Sequence, residues 1–306
     1  LALSVISCNF QVNTNKESED SDEVTMSTGL DIHDEVMPKM SDIAKLSGAL
    51  KPLITEDSLA QKKFDDLVRA HEEMMNWMQE FGTKFNSDEI MNIRKMVIDA
   101  NNISDGYIRP VAWRGSEMMA ISAQQTKIHV AIATWEWGSY FDPKLKVEGI
   151  KLNISSWRRP APNTIPWDTK ASGLYMICTL SKHEAEKQGY TDSLMLDHEG
   201  NVAEATGANI FFKNREGELH TPTPDSFLNG ITRREVIKLA KNKGIKVIEK
   251  KIKPEDMKNY TGCFLTGTAA EITPVSQIDN YNFEICNVIT DLNDSYQTLV
   301  RKKSAA

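Results

Sequence analysis

The absences are the first guide to this chain. It has no apolar run long enough to form a membrane-crossing helix, which takes about 20 residues. Its four cysteines, Cys8, Cys178, Cys263 and Cys286, lie far apart with no Cys-x-x-Cys pair. Reduced thiols and a cytoplasmic location are therefore expected, not a disulfide frame. The six histidines show no ligand spacing, so no protein metal site is expected. Residues 1–60 contain no arginine and one aromatic residue, Phe10. The net charge of −7 is local: residues 1–60 hold 11 Asp and Glu against 4 Lys, whereas residues 61–306 hold 32 acidic and 32 basic side chains. A neutral body presents no basic surface for nucleic acid, so neither nucleic acid nor membrane is expected as a partner.

The 306 residues are 40% apolar and 26% charged, enough for two domains with their own cores. Leu1 to Ser7, followed by Cys8, loosely resembles the end of a lipoprotein signal. Without an initiator Met, a basic region or a full apolar core it reads as a truncated or mis-called start. Asn13 to Ser27 is acidic and polar, and residues 1–57 are expected to form an atypical, disordered lead segment. The composition changes near Thr55 to Ala60. A smaller N-terminal α/β domain is expected over 58–160 and a larger one over 163–306, joined through the proline-rich Pro160 to Pro166 loop.

Apolar periodicity predicts helices over Ser58 to Phe81, Asp88 to Ala100, Lys170 to Lys187 and Asp291 to Lys302. It predicts buried strands over Tyr107 to Trp113, Ile128 to Trp135 and Ile150 to Trp157. Ser193 to Leu196 and Val202 to Ala205 read as a hairpin around Asp197-His-Glu-Gly-Asn201. Ile245 to Ile248 and Cys263 to Leu265 read as strands, with a short helical segment over Pro254 to Tyr260.

The stretch from Asn201 to Thr232 organises the rest. Asn209 to Phe212 and Leu219 to Thr221 flank a charged turn and predict a β-hairpin, with Glu204 at its mouth. After the Thr221-Pro-Thr-Pro-Asp-Ser-Phe-Leu-Asn-Gly230 loop, Thr232 with Glu235 fits a capping box. The apolar stripe at 236, 237, 239 and 240 marks a helix, and Gly244 ends it. A glycine followed by free N–H groups at a helix start is where a phosphate would sit, although a capped helix explains the same residues.

Upstream stands Lys170-Ala-Ser-Gly-Leu-Tyr175, and downstream Leu265-Thr-Gly-Thr-Ala-Ala-Glu-Ile-Thr-Pro274. With Tyr107-Ile-Arg-Pro-Val-Ala-Trp-Arg-Gly-Ser-Glu117 and Ser156-Trp-Arg-Arg-Pro-Ala-Pro-Asn-Thr-Ile-Pro166, these blocks run in order over roughly two thirds of the sequence. The chain resembles the class IV, fold type IV aminotransferases that use pyridoxal 5′-phosphate, and among them the bacterial branched-chain amino acid aminotransferases. The resemblance implies a two-domain α/β (α+β) fold like that of D-amino acid aminotransferase, and a homodimer or higher homo-oligomer. The implied reaction exchanges the amino group of leucine, isoleucine or valine with 2-oxoglutarate, so the partners are small amino acids and 2-oxo acids. Sister chemistries on this scaffold are D-amino acid transamination and aminodeoxychorismate lysis, and a non-catalytic cofactor-binding remnant is a further alternative.

By the same resemblance Lys170 is the covalent anchor and the acid/base that moves a proton between substrate and cofactor, a task that favours an unprotonated amine. Glu204 would meet the protonated pyridine nitrogen and Tyr175 the cofactor's phenolic oxygen. Leu228 would pack on the ring. The phosphate would rest on the backbone of Ile231 and Thr232, with the hydroxyls of Thr232 and Thr268, where Gly230 and Gly267 permit close approach. Thr268, Ala269 and the Tyr107 hydroxyl would meet the substrate α-carboxylate, Arg109 the distal carboxylate of glutamate, and Trp137 the side chain. Two departures stand out. The family's opening His-Tyr-Gly…Phe-Glu-Gly-x-Arg pattern is not found in residues 1–60. In Arg69-Ala-His-Glu-Glu-Met74, Met74 takes the place of a phosphate-contacting arginine.

Overall fold

The computed structural model describes residues 6–7, 10–13, 87–118, 121–123, 125–138 and 140–301. Residues 6–7, 10–13 and 97–301 of these belong to one compact unit, and residues 87–96 to a second. Helix α1, Ser87–Ala100, agrees with the expected helix within a residue. The helix expected over Ser58 to Phe81, and Met74 with it, lie outside the described residues.

Four strands form the first sheet: β1 (Ile6–Ser7), β2 (Phe10–Asn13), β3 (Asp105–Arg114) and β4 (Ile128–Trp135). β1 and β2 pair antiparallel with β3 at successive registers, Ile6 opposite Ala112 and Phe10 opposite Ile108, and β4 pairs with β3 from Tyr107↔Trp135 to Arg114↔Ile128. This corrects two expectations. Residues 6–7 and 10–13 of the lead segment are strand, paired antiparallel with β3. β4 is not buried on both faces: Ile128 is buried, but His129, Ala131 and Ala133 are exposed, as in a sheet covered on one side.

The second sheet has nine strands, with α2 (Pro143–Glu148) before β5 (Ile150–Arg158), and α3 (Tyr175–Lys187) between β5 and β6 (Asp192–Leu196). Then follow β7 (Val202–Ala205), β8 (Asn209–Asn214), β9 (Leu219–Thr221), α4 (Ile231–Asn242), β10 (Val247–Glu249), β11 (Tyr260–Gly267), β12 (Glu271–Ile278), β13 (Tyr281–Asn282) and α5 (Asn287–Val300). The spatial order is β10-β9-β8-β11-β12-β5-β6-β7, with β13 on β12. The expected β8/β9 and β6/β7 hairpins are present as antiparallel pairs.

The centre of β8, Ile210-Phe211-Phe212, is an unbroken apolar run because both its faces are covered. Ile210 and Phe212 enter one core with Leu152, Leu194, Leu265 and Val275. Phe211 points the other way, into a core closed by Val236 and Ala240 of α4 and Leu292 of α5. Phe211 stacks on Phe264 of β11 with centroids 5.0 Å apart. Three elements had no sequence reading: α2, β12 and the two-residue β13. α2 is started by Asp142, whose side chain accepts the Lys144 N–H at 2.8 Å, with proline at the first turn. β12 was hidden by Pro274, which cannot donate to a ladder yet sits opposite Phe264 in register.

Candidate active site

Glu204 is the next-to-last residue of β7 and is 9% exposed, so it does not face water as a hairpin-mouth carboxylate would. Arg159 Nε lies 3.4 Å from Glu204 Oε1, and Asn209 Nδ2 donates to Oε2 at 3.2 Å. The arginine contact is attraction without alignment, since Arg159 Nε makes no hydrogen bond. Burial pushes the Glu204 carboxyl up to about 7, and the charges of Arg159 and Lys170 oppose that rise. Lys170 is therefore within electrostatic reach of Glu204.

Lys170 does not open a helix. It precedes a 3₁₀ turn, Ser172–Leu174, and α3 starts only at Tyr175. Ala171 is extended, at φ −72° and ψ 135°, so the one-and-a-half-turn relation expected between Lys170 and Tyr175 is replaced by a bend. Gly173, at the centre of that turn, would meet nothing within 4 Å if it bore a Cβ. Burial, then the neighbouring Glu204 charge, push the Tyr175 hydroxyl well above the ordinary tyrosine range.

The start of α4 also differs from expectation. The N-cap is Gly230, not Thr232, and no side chain caps the helix. Glu235 pairs with Lys238 at 2.8 Å, so no capping box forms. Thr232 lies inside the first turn with its hydroxyl 3.3 Å from that of Tyr296. An uncapped first turn leaves N–H groups directed outward, where the helix dipole favours an anion.

The loop before α4 is fastened by Arg233, in the first turn of that helix. It is 1% exposed. Its guanidinium donates to the Pro222 carbonyl at 3.0 Å, Asn229 Oδ1 at 2.8 Å and Glu249 at 2.7 Å. Leu228 is held in that loop, its carbonyl accepting from Asn209 Nδ2 at 2.9 Å.

β11 ends at Gly267 and turns through Thr268, Ala269 and Ala270 into β12. A Cβ on Gly267 would come no nearer than 3.5 Å to its neighbours, so the protein itself does not demand glycine there. Glu271 closes the turn at φ +51° and is held by Lys146 and Arg301, each at 3.0 Å. A left-handed glutamate is unfavourable by itself, and two charge-assisted bonds offset it.

The rings of Tyr107 of β3 and Trp137 beyond β4 meet tilted at 45°, with centroids 4.6 Å apart. With Ala269, Tyr140, Lys146 and Glu271 they line a cavity of about 20 Å³. The Arg109 guanidinium lies 5.3 Å from the Tyr107 ring centroid and 5.7 Å from that of Trp135. Burial raises the Tyr107 hydroxyl, and a hydrogen bond from Arg109 opposes the rise. A larger cavity of about 370 Å³ lies around Asn214, His220 and Tyr260, at the end of β8 away from Glu204.

The structure thus brings Lys170, Tyr175 and Glu204 into one electrostatic neighbourhood, and Tyr107, Trp137 and Ala269 around one small cavity. Leu228 and Gly230 are tied to Glu204 through Asn209. Arg159, Asn209 and Arg233 were not singled out from the sequence. Each was visible only as a polar residue beside an apolar run, and the burial that gives each its role is tertiary.

A family model described as amino-transferase class IV matches residues 69–278. A probable branched-chain-amino-acid aminotransferase of Rickettsia conorii is 40% identical over 222 residues, 71% of this chain and 75% of that protein. The Escherichia coli branched-chain-amino-acid aminotransferase is 40% identical over 194 residues, 63% of this chain and 62% of its own. Among solved structures, a T.th. branched-chain amino acid aminotransferase with pyridoxamine 5′-phosphate superposes at TM-score 0.67 and 34% identity, covering 71% of this chain and 72% of that one. With the fold type IV architecture present and the family model covering strands β3 to β12, this chain belongs to the class IV aminotransferases.

Proposed function

We propose that this enzyme exchanges the amino group of leucine, isoleucine or valine with 2-oxoglutarate, using pyridoxal 5′-phosphate. The observation that carries the reading is Glu204: a buried carboxylate with no aligned cation, beside Lys170 and joined through Asn209 to an uncapped helix start. These residues fit the cofactor. A protonated ring nitrogen would give Glu204 the aligned partner that Arg159 does not. The bare first turn of α4 suits a phosphate, and Thr266 Oγ1, opposite Asn209 in register, is buried without a partner. Names of similar proteins support the substrate class, and a similar structure carries pyridoxamine 5′-phosphate.

When bound, the cofactor supplies an aldehyde that takes up the amino group and a ring that accepts electrons. The residues do the rest. Lys170 would hold the cofactor covalently and then serve as the acid/base that takes and returns the substrate Cα proton. Glu204 keeps the ring nitrogen protonated, and Tyr175 meets the phenolic oxygen. Ile231, Thr232 and Thr268 hold the phosphate, with Gly230 and Gly267 allowing close approach and Leu228 against the ring. Thr268, Ala269 and the Tyr107 hydroxyl orient the substrate α-carboxylate, Trp137 lines the side-chain pocket, and Arg109 meets the distal carboxylate of glutamate. We further propose a division between smaller and larger domains at Pro160 to Asn163, a homodimer, and a cytoplasmic location, the last supported by unpaired Cys178, Cys263 and Cys286.

The test is a visible spectrum recorded on adding pyridoxal phosphate and then L-leucine or L-glutamate. A band that forms and bleaches in the unmutated chain, and neither forms nor bleaches in Lys170→Ala, is expected. A band that forms equally in Lys170→Ala would overturn the anchor. Rates compared across L-leucine, D-alanine and aminodeoxychorismate separate the branched-chain reaction from its sister chemistries.

A further inference from the structure

We infer that Asn209 is a positioning residue that sets the spacing between the two ends of the cofactor site, the Glu204 carboxylate and the start of α4. This rests on the reading of Glu204 and α4 given above.

Asn209 is the first residue of β8 and is 4% exposed. Both functions of its amide are in use. Nδ2 donates to Glu204 Oε2 at 3.2 Å and to the Leu228 carbonyl at 2.9 Å, and Oδ1 accepts the Gly230 N–H at 3.1 Å. One side chain on a rigid, doubly buried strand thus joins the carboxylate to the loop preceding the helix and to the N-cap itself. Only an amide of this length can do so: aspartate has no donor, leucine has neither function, and glutamine is longer by a methylene.

Gly230 supplies an independent sign. Its φ is −60°, which any residue adopts, so no backbone strain calls for glycine. A Cβ there would lie 2.4 Å from Asn209 Oδ1. Within the protein itself, the asparagine oxygen already occupies the place of a Gly230 side chain. The two residues specify each other across the site.

The consequence follows from the cofactor's rigidity. Its ring nitrogen and phosphate are a fixed distance apart, so contacts to the two reinforce each other only when their partners are held at the matching distance. Without Asn209 each end would still bind, but independently. The advantage that the phosphate gives to binding should then shrink.

The measurement is the dissociation constant of pyridoxal phosphate and of pyridoxal, which lacks the phosphate, by spectral titration of the full chain. It is made for the unmutated protein, Asn209→Ala, Gly230→Ala and the double variant, with thermal midpoints of each without cofactor. The ratio of the two constants is expected to fall about tenfold or more in each single variant. The double variant is expected to be no worse than Asn209→Ala, because removing the amide also removes what the new methyl strikes. Equal weakening of both ligands with the ratio unchanged would make Asn209 merely structural and overturn the inference. So would additive losses in the double variant, which would mean that the Gly230 methyl strikes the phosphate directly. A ratio near one in the unmutated chain would sink the cofactor reading itself, before any variant is made. If Asn209→Ala does not fold, Gly230→Ala carries the test, and an unchanged ratio there overturns the inference.

Discussion

The two sheets contribute to the site in different ways. The nine-stranded sheet holds its side of the site by hydrogen bonds from buried side chains. Asn209 and Arg233 are 4% and 1% exposed and tie the Pro222 to Gly230 loop to β8, β9 and β10. The four-stranded sheet offers Tyr107, Trp135, Trp137 and Arg109, held by ring contacts at 4.6 to 5.7 Å. Tilted ring contacts tolerate small displacements that a three-bond amide clamp does not. For the reaction proposed above, that division would let fixed geometry serve the step common to both half-reactions and an adaptable wall serve the side chains that differ.

Breaking the comparison on the rigid side should have the largest effect on stability. Phe211→Ala removes a fully buried ring stacked on Phe264, at an expected cost of about 3–5 kcal/mol. Ile132→Ala on half-covered β4 should cost less than half as much, because its surroundings are already partly wet. Urea unfolding monitored by circular dichroism gives both numbers, and equal costs would mean that the sheets do not differ in rigidity.

A pH effect comes next in size. The Glu204 carboxyl sits at about 7 in the folded chain against an ordinary 4.5. The folded state therefore holds its proton longer than the unfolded state. Stability without cofactor should fall as pH rises from about 4.5 to about 7, and be flat in this contribution above that, by up to about 3 kcal/mol. Glu204→Gln should remove that slope. Guanidinium titrations at pH 5, 6, 7 and 8 would show it, and an unaltered slope in the variant would mean that another group titrates. Adding pyridoxal phosphate to the unmutated chain should flatten the same slope, because a protonated ring nitrogen favours the ionised carboxylate.

The smallest expected effect lies on the adaptable side. Arg109→Met should raise KM for glutamate roughly tenfold while leaving that for leucine within about threefold, the loss of one charge-assisted contact in a half-buried site. Equal changes for both substrates would show that Arg109 acts only by supporting Tyr107 and Trp135.

Much of the fold is legible in local pattern. The β8/β9 and β6/β7 hairpins are written in apolar runs interrupted by turn residues, and Gly244 marks the end of α4 at φ +75°. Helix starts mislead for a common reason. Thr232 with Glu235 satisfies a local pattern, but Thr232 finds Tyr296 on α5 and Glu235 finds Lys238. Helical periodicity runs through Lys170, whereas its neighbour Ala171 is extended. The buried arginines are illegible for a different reason. Nothing local distinguishes Arg159 or Arg233 from Arg158 or Arg234, and only packing selects which of each pair is enclosed.

The sequence by itself determined the class of the protein, the order of its main elements and the residue types available for chemistry, because these follow from local pattern and from blocks kept in order along the chain. Tertiary structure decided which polar groups are buried and what they face. Glu204, Asn209 and Gly230 are a carboxylate, an amide and a glycine within a span of 27 residues, and no periodicity relates them. They become one clamp because β7, β8 and the α4 loop converge, and removal from water there raises a carboxyl, aligns an amide and leaves no room for a side chain.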